Sequence, residues 1–240
     1  MLRASALRLS PSRVGEPGRQ ADPKFLQLAE RQAGEQRGVP RRAVDRAVFL
    51  NIPYDSKFER LGLAYICAVA SFGLVPRATI EIPGNRRLDR IIQLIKSCPF
   101  SLHDLSRIER QAPLKLPRFN MPFELGLAVG WERFGSKKHT WYVFEAHPHR
   151  ADKSLSDLAG TDVYSHGGNV GGVLREVSNA FIRERREPTL TEMWTVYRRT
   201  RRALPSILGK AGAKSILDGA RAFHSTCVSA VEIASEVVPK

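Results

Sequence analysis

The sequence predicts an α/β domain with a five-stranded parallel sheet and helices on both faces, followed by a C-terminal helical extension. From Ala47 onward, short apolar runs alternate with segments of helical periodicity. Such alternation is typical of βαβ units, whose strands run parallel. After Pro188 only helical periodicity remains. A chain of 240 residues has room for one substantial domain with extensions.

Five apolar runs are the predicted strands, and helical patterns fill most of the intervals between them. The strands are Ala47–Asn51, Leu74–Ile80, Phe100–Leu105, Thr140–Glu145 and Thr161–Ser165. The helices are Lys57–Ser71, Arg87–Ser97, Pro122–Phe134 and Gly171–Glu184, with a weaker turn at Ser154–Ala159. Right-handed crossovers favour the flavodoxin-like order 2-1-3-4-5. That order predicts a ligand crevice between the carboxyl ends of strands one and three.

Three segments divide the chain. Residues 1–46 are the N-terminal extension: residues 1–22 are rich in Arg, Ser, Pro and Gly and are predicted to be disordered, and 23–46 to form one short helix. The acid-poor opening also resembles a transit peptide, but a misassigned start or a loose tail is the preferred interpretation. Residues 47–187 are the α/β domain, and residues 188–240 are the helical tail.

Two helices are predicted in the tail. Thr189 and Glu192 fit a capping box, which starts a helix that runs to about Leu204. Pro205 is expected to break the chain before a second helix over Ala211–Val237. Because both helices have apolar stripes, we expect them either to form a homo-oligomer or to dock on their own domain.

The charge of the chain is strongly positive but evenly spread. The net charge is +14, with excesses of +5, +5 and +4 in residues 1–46, 47–187 and 188–240. A nucleic-acid partner is therefore not favoured, although the Arg198–Arg202 run is either a polyanion contact or a solvated face. No apolar run is long enough to cross a bilayer, and the three cysteines lie in apolar surroundings. We expect a cytoplasmic protein with no membrane association.

Glu124 is the most informative residue of the sequence. It is the only charged residue between Phe119 and Trp131, in a segment whose apolar side chains cover every side of a helix. We therefore expect a buried helix that contains a buried carboxylate, which is costly without a partner and is often functional. The alternative is that Glu124 only balances the positive end of the helix dipole.

A second cluster, SLHDLSR, ends the third strand with His103 and Asp104. Because neighbouring strand residues point to opposite faces, only one of the two can face the crevice, and Asp104 is the preferred catalytic candidate. It would bind a sugar hydroxyl or a base, or else cap the following loop. His103 would assist proton transfer at the substrate, or else bond to the neighbouring backbone.

The remaining binding candidates flank these two segments. Pro53 and Tyr54 follow the first strand and would border the crevice, with the Tyr54 ring stacked on a base, while Asp55 is expected to cap the next helix. Arg107 and Arg118 bound a basic loop that either holds phosphates or is simply solvated.

Two other motifs carry less weight. His147 and His149 lack the spacing of a metal site, and neither a metal nor a cofactor is predicted. The glycine-rich run from His166 to Gly172 is either an anion cradle or, preferably, a strand-to-helix turn.

Together, VFLNIPYD, FSLHDLSR and NMPFELGLA resemble the TIR-like and nucleoside 2-deoxyribosyltransferase-like group of flavodoxin-like domains, over roughly residues 47–184. The resemblance implies a helix glutamate in an E-x-G-x-A pattern that acts at a glycosidic carbon, and Glu124, Gly126 and Ala128 match that pattern. In place of the Asp-x-Gly-Thr that usually precedes it, this chain has Arg118-Phe-Asn120-Met, so Asn120 becomes a further binding candidate.

The resemblance and the residues favour the same chemistry. A carboxylate suits an oxocarbenium-like centre because it stabilises the developing positive charge or forms a covalent glycosyl intermediate. The predicted function is cleavage or transfer at the N-glycosidic bond of a nucleoside, a nucleotide or NAD, with NAD or the nucleotide as substrate. The alternative is a non-catalytic nucleotide-sensing or protein-interaction module of the same fold.

Overall fold

A computed structural model describes residues 46–82, 86–107, 119–136, 138–149, 155–156, 160–182 and 187–239. Within these residues five parallel strands form one sheet in the order β2-β1-β3-β4-β5. The strands are β1 (Ala47–Asn51), β2 (Val75–Arg77), β3 (Phe100–Asp104), β4 (Thr140–Glu145) and β5 (Val163–Ser165). The predicted fold class and strand order are confirmed. The predictions for residues 1–45 lie outside the described residues.

Six α-helices accompany the sheet in the described part of the chain. They are α1 (Glu59–Ser71), α2 (Arg87–Ser97), α3 (Asn120–Phe134), α4 (Val170–Ala180), α5 (Leu190–Ala211) and α6 (Ala220–Val237). Strand β2 is shorter than predicted because the chain turns into a 3-10 helix over Thr79–Glu81. The Glu81 carboxylate holds this turn by accepting the backbone N–H of Ala78 at 2.9 Å. The weak turn predicted at 154–159 lies mostly outside the described residues.

Both faces of the sheet are covered by helices. Along β1, Val48 and Leu50 belong to the core shared with α1, α4, α5 and α6, whereas Ala47 and Phe49 pack with residues of α2 and α3. This division follows from the alternation of side chains along a strand. Because β1 is buried on both faces, it reads as a continuous apolar run rather than as an alternating one.

The two C-terminal helices pack on their own domain. Helices α5 and α6 contact each other and both contact α1, so every residue from Gly62 to Ser71 is buried. The apolar stripe of α6, which includes Phe223, Cys227 and Ala230, lies within this core. The tail therefore buries its main apolar stripe within the chain, although Leu190, Trp194 and Val228 remain exposed. Its predicted role in oligomerisation stays untested.

The predicted break at Pro205 is wrong. Helix α5 begins at the predicted capping box of Thr189 and Glu192, but it continues through Pro205 to Ala211. Proline removes one helical hydrogen bond. Leu204 and Leu208 pack on the core on either side of it, and we attribute the continuity to this packing. The helix ends at Gly212, whose φ of 66° lies in the left-handed region that glycine tolerates best.

The prediction of a helix buried on every side is also wrong. Helix α3 buries Met121, Glu124, Leu125 and Ala128 against the sheet. Its opposite face is open, with Phe123 56% exposed. Apolar residues all round a helix normally indicate burial on all sides, so the exposed face requires an explanation of its own.

Candidate functional site

A cleft of about 280 Å³ opens at the carboxyl end of β1. Three segments form its walls: the loop after β1, the start of α2 and the start of α3. The lining residues are Ile52, Pro53, Tyr54, Arg87, Asn120 and Met121. The cleft thus lies where the order of a doubly wound sheet reverses, which is where such folds bind ligands. It is the crevice that the predicted strand order implies.

Glu124 lies beside this cleft and is only 2% exposed. Its Oε1 accepts a hydrogen bond from Arg87 Nη2 at 3.2 Å, which joins α3 to α2. Helix α3 begins at Asn120 and has no acidic residue in its first turn, so Glu124 belongs to the second turn. The helix dipole acts mainly on the first turn. Glu124 is therefore positioned by its ion pair rather than as a cap.

The Glu124 carboxylate is incompletely satisfied. Burial raises its pKa above the ordinary value, and Arg87, Asn120 and Asn51 partly offset that rise through charge and hydrogen bonding. Its Oε2 is buried and has no partner in hydrogen-bonding geometry among the described residues. A buried oxygen without a partner is costly, and in a native protein a bound water, an ion or a ligand supplies the missing hydrogen bond.

Tyr54 provides an aromatic wall. Its hydroxyl accepts a hydrogen bond from Thr79 Oγ1 at 3.2 Å, and burial raises its pKa to about 12. The guanidinium of Arg87 lies 6.0 Å from the centre of the Tyr54 ring, at the limit of a cation–π contact. The cleft therefore combines a neutral ring, one cation and the amide of Asn120.

A series of buried hydrogen bonds beneath the cleft holds the Asn51 side chain in place. His139 bonds through Nδ1 to the carbonyl of Cys98 at 2.8 Å and through Nε2 to Ser101 Oγ at 2.9 Å. Ser101 Oγ also lies 2.9 Å from His103 Nε2, and His103 Nδ1 lies 3.0 Å from Asn51 Nδ2.

The position of each proton in this series of hydrogen bonds follows from its last partner, the Cys98 carbonyl. A carbonyl only accepts, so the proton of His139 sits on Nδ1 and its Nε2 accepts from Ser101. His103 then donates from Nε2 and accepts from the Asn51 amide. Burial lowers the pKa of His103 to about 3, which agrees with a neutral ring. His103 is thus fully buried beneath Asn51 and does not line the cleft.

Asp104 lies in a separate buried network. Its carboxylate accepts from the Tyr65 hydroxyl at 2.8 Å, from His166 Nε2 at 3.0 Å and from the backbone N–H of Ser106 at 2.9 Å. The side chain is fully buried and is not among the residues that line the cleft. With three donors already bound, it has little capacity left for a substrate hydroxyl.

The neighbouring Ser106 and His166 are not a nucleophile and its base. His166 Nε2 lies 3.1 Å from Ser106 Oγ, but the same nitrogen donates to Asp104. His166 Nδ1 accepts from the backbone N–H of Gly168 at 3.1 Å, so the ring proton must be on Nε2. A nitrogen that holds a proton cannot take one from the serine.

The glycine-rich run from His166 to Gly172 holds His166 in place. Asn169 caps α4 by accepting the Gly172 N–H at 2.9 Å, and its amide donates to the His166 carbonyl at 3.2 Å. A Cβ at Gly172 would lie 1.8 Å from that carbonyl, so only glycine fits. Because these loop groups bond within the loop, the structure favours the turn over the anion cradle.

Of the two arginines that bound the predicted basic loop, the structure describes one. Arg107 forms an ion pair with Asp55, with 3.6 Å between Nε and Oδ2. Asp55 Oδ1 accepts the backbone N–H of Phe58 at 3.0 Å in the turn before α1. Helix α1 itself begins after Phe58 without a side-chain cap, so Asp55 holds the preceding turn and does not cap the helix as predicted. Arg118 lies outside the described residues.

The structure therefore brings together Pro53, Tyr54 and Asn120 around the cleft, with Glu124 beside them. It places His103 and Asp104 beneath the site, and their predicted roles in substrate chemistry remain predictions. Sequence reasoning missed Arg87, Asn51 and His166. Of the three, only Arg87 has a local signal, its position at the start of the helix that leads into β3, and any solvated helix start shares that signal.

Comparison of the chain with protein-family models, with characterised proteins and with solved structures gave no significant match. Among the described residues, no group of three or more His, Cys, Asp or Glu side chains is arranged to hold a metal ion. None of the helices in the described ranges has the length and apolar character needed to cross a membrane.

Proposed function

We propose that this protein cleaves or transfers the N-glycosidic bond of a nucleoside, a nucleotide or NAD, with Glu124 as the central carboxylate. The observation that carries the proposal is the buried Oε2 of Glu124, which lacks a partner in good hydrogen-bonding geometry within the described part of the chain. It lies beside a cleft that holds an aromatic ring, an amide and a cation. The resemblance of the NMPFELGLA segment to glycosidic enzymes supports the same assignment.

The groups of the cleft match the parts of such a ligand. The Tyr54 ring suits a purine, pyrimidine or nicotinamide face, and the Asn120 amide suits a sugar hydroxyl. In the reaction the bond from the anomeric carbon to the base nitrogen breaks, and its electron pair leaves with the base. Nicotinamide leaves as a neutral molecule, whereas a purine or pyrimidine takes up the proton that the incoming acceptor releases. Glu124 stabilises the positive charge at the carbon, or bonds to it, until water or another acceptor adds there.

Arg87 binds one oxygen of the Glu124 carboxylate. The carboxylate is buried, whereas the Arg87 side chain is 49% exposed and spans from α2 to reach it. Arg87 bonds only to Oε1, so it can keep the carboxylate charged while a ligand approaches Oε2. The exposed part of the guanidinium can bind a phosphate of the ligand at the same time.

The test is to incubate the protein with NAD, nucleosides and nucleoside monophosphates and to measure the released base by chromatography. Binding of each compound is followed in parallel by thermal shift. Base release supports the proposal. Binding without release supports the alternative, a nucleotide-sensing module. One observation agrees with that alternative: Asp104, the predicted second catalytic carboxylate, already accepts three hydrogen bonds within the protein.

A further inference from the structure

Helix α3 presents a continuous apolar stripe to solvent. Spacings of three or four residues place one set of glycine, leucine and phenylalanine residues on a single face, from the residue before the helix to its last residue. That set is Phe119, Phe123, Gly126, Leu127, Gly130 and Phe134. Phe119 is 72% exposed and Phe134 is 88% exposed. The stripe does not belong to the cleft, and nothing in the proposed chemistry uses it.

The stripe continues onto α2. A groove of about 250 Å³ runs between the two helices and is lined by apolar groups that include Ile92, Leu127, Gly130 and Trp131. Leu88 and Ile92 of α2 are 43% and 37% exposed. We call this surface, formed by the α3 stripe and these two α2 residues, the α2–α3 face.

We propose that the α2–α3 face binds the same face of a second copy of this chain, so that the two α3 helices cross antiparallel about a two-fold axis near Gly126 and Gly130. The proposal rests on area, on shape and on charge. It is independent of the proposed function.

The area matches a dimer. The exposed parts of the three phenylalanines alone amount to roughly 400 Å² of apolar surface, at about 200 Å² for a whole aromatic side chain. A stable homodimer buries about 800 Å² on each partner, of which about 65% is apolar. The phenylalanines, Leu88, Ile92 and the glycine backbone together approach that apolar requirement.

The shape is self-complementary. A Cβ added at Gly126 or Gly130 would meet nothing within 4 Å in its own chain, so the helix backbone is bare there and a second helix can approach closely. An antiparallel crossing between these glycines brings Phe123 of each copy to the groove beside Gly130 and Trp131 of the other. Each copy therefore inserts the same side chain into the same groove of the other, as an isologous interface requires.

The charges of the stripe also suit a second copy. Between Phe119 and Trp131 its only charged residue is Glu124, which points away and is buried. The groove also contains Lys96, whose ammonium lies over the Trp131 ring and can make the same kind of contact with an aromatic ring of the second copy. The exposed Glu132 and Arg133 lie at the end of α3, so an antiparallel crossing keeps each about 12 Å or more along the axis from its symmetry mate. Two chains of net charge +14 repel each other, so contact through this face should strengthen, not weaken, as salt rises.

The test is sedimentation equilibrium of the full chain at micromolar to tens of micromolar concentrations, at low and at raised salt. We expect a mass of about twice 26.8 kDa at both salt concentrations. Phe123→Glu should raise the dissociation constant by about 100-fold or more, because each dimer loses two buried anchors. Ile182→Glu is the matched control, since Ile182 is 66% exposed outside this face, and it should leave the mass unchanged.

Gly126→Gln separates misfolding from loss of contact. It has free space in its own chain and improves helix propensity, so the monomer should melt no lower while the dimer is lost. A wild-type chain that stays monomeric throughout, with its own segments or solvent on the face, overturns the proposal. So does a dimer that survives both Phe123→Glu and Gly126→Gln, or one that dissociates as salt rises.

Discussion

Arg87 Nη2 lies 3.2 Å from Glu124 Oε1, and the two side chains have opposite exposures of 49% and 3%. The ion pair therefore has one partner in solvent and one within the protein. A half-exposed cation is screened by water and contributes little to stability. Its main effect is on the buried partner, where it favours the charged form of a carboxyl that burial would otherwise protonate.

Removing the cation should therefore raise the pKa of Glu124 further. We expect Arg87→Met to shift the titration of the Glu124 carboxyl, followed by carbon-13 NMR, to higher pH than in the wild type. Arg86→Met is the matched control, because Arg86 is exposed and has no described contact with Glu124. An unchanged titration in Arg87→Met would show that the ion pair does not persist in solution.

Glu124 should also make stability depend on pH. Since burial raises its folded pKa above 4.5, the folded state binds more protons than the unfolded state. The associated stability is present at low pH and is lost as pH rises through the raised pKa. The free energy of unfolding of Glu124→Gln should therefore increase relative to that of the wild type as pH rises through this range. Urea unfolding across that range measures it, and parallel pH profiles would contradict the raised pKa.

The low pKa of His103 predicts a separate loss of stability in acid. Its folded pKa of about 3 lies below the ordinary 6.5, so its stabilising contribution is present above pH 6.5 and is lost as pH falls toward 3. The slope should be about 1.4 kcal/mol per pH unit within that range. His103→Asn should flatten it, whereas His224→Asn, at an exposed position, should not. An equal acid slope in both variants would point to other groups.

The Asp104 network should be a major source of stability. Asp104→Asn leaves a buried amide facing donors from Tyr65 and His166, which should cost about 3 kcal/mol in the free energy of unfolding. Asp89→Asn, at an exposed position of α2, should change it by less than about 0.5 kcal/mol. If Asp104→Asn is as stable as the control and loses only activity, Asp104 acts on the substrate instead of holding the fold.

The sheet, its order and the position of Glu124 could be predicted because they depend on local patterns. Alternating apolar runs specify strands, and crossover handedness limits their order. A lone carboxylate among apolar residues indicates burial. The continuous path of α5 through Pro205 could not be predicted, because packing against α1 and α6 overrides the local preference.

The composition of the site depends on contacts between distant segments. Arg87 belongs to a charged stretch that resembles any solvated helix start, and its partner is 37 residues away. His166 lies 62 residues from Asp104, in a glycine-rich run whose geometry sets its tautomer. His103 and Asp104 were placed at the correct strand end, but the sequence did not show that both would be enclosed by other side chains.

The most direct test of the central claim is base release by Glu124→Gln on the best substrate of the wild type, with melting temperature measured on the same preparation. The amide keeps the size of the side chain but cannot supply the negative charge. We expect an unchanged or higher melting temperature and a rate lower by several powers of ten, on the order of 10⁶ where a nucleophile is removed. A rate within a few-fold of the wild type, in a folded variant, would contradict the assignment of Glu124 as the central carboxylate.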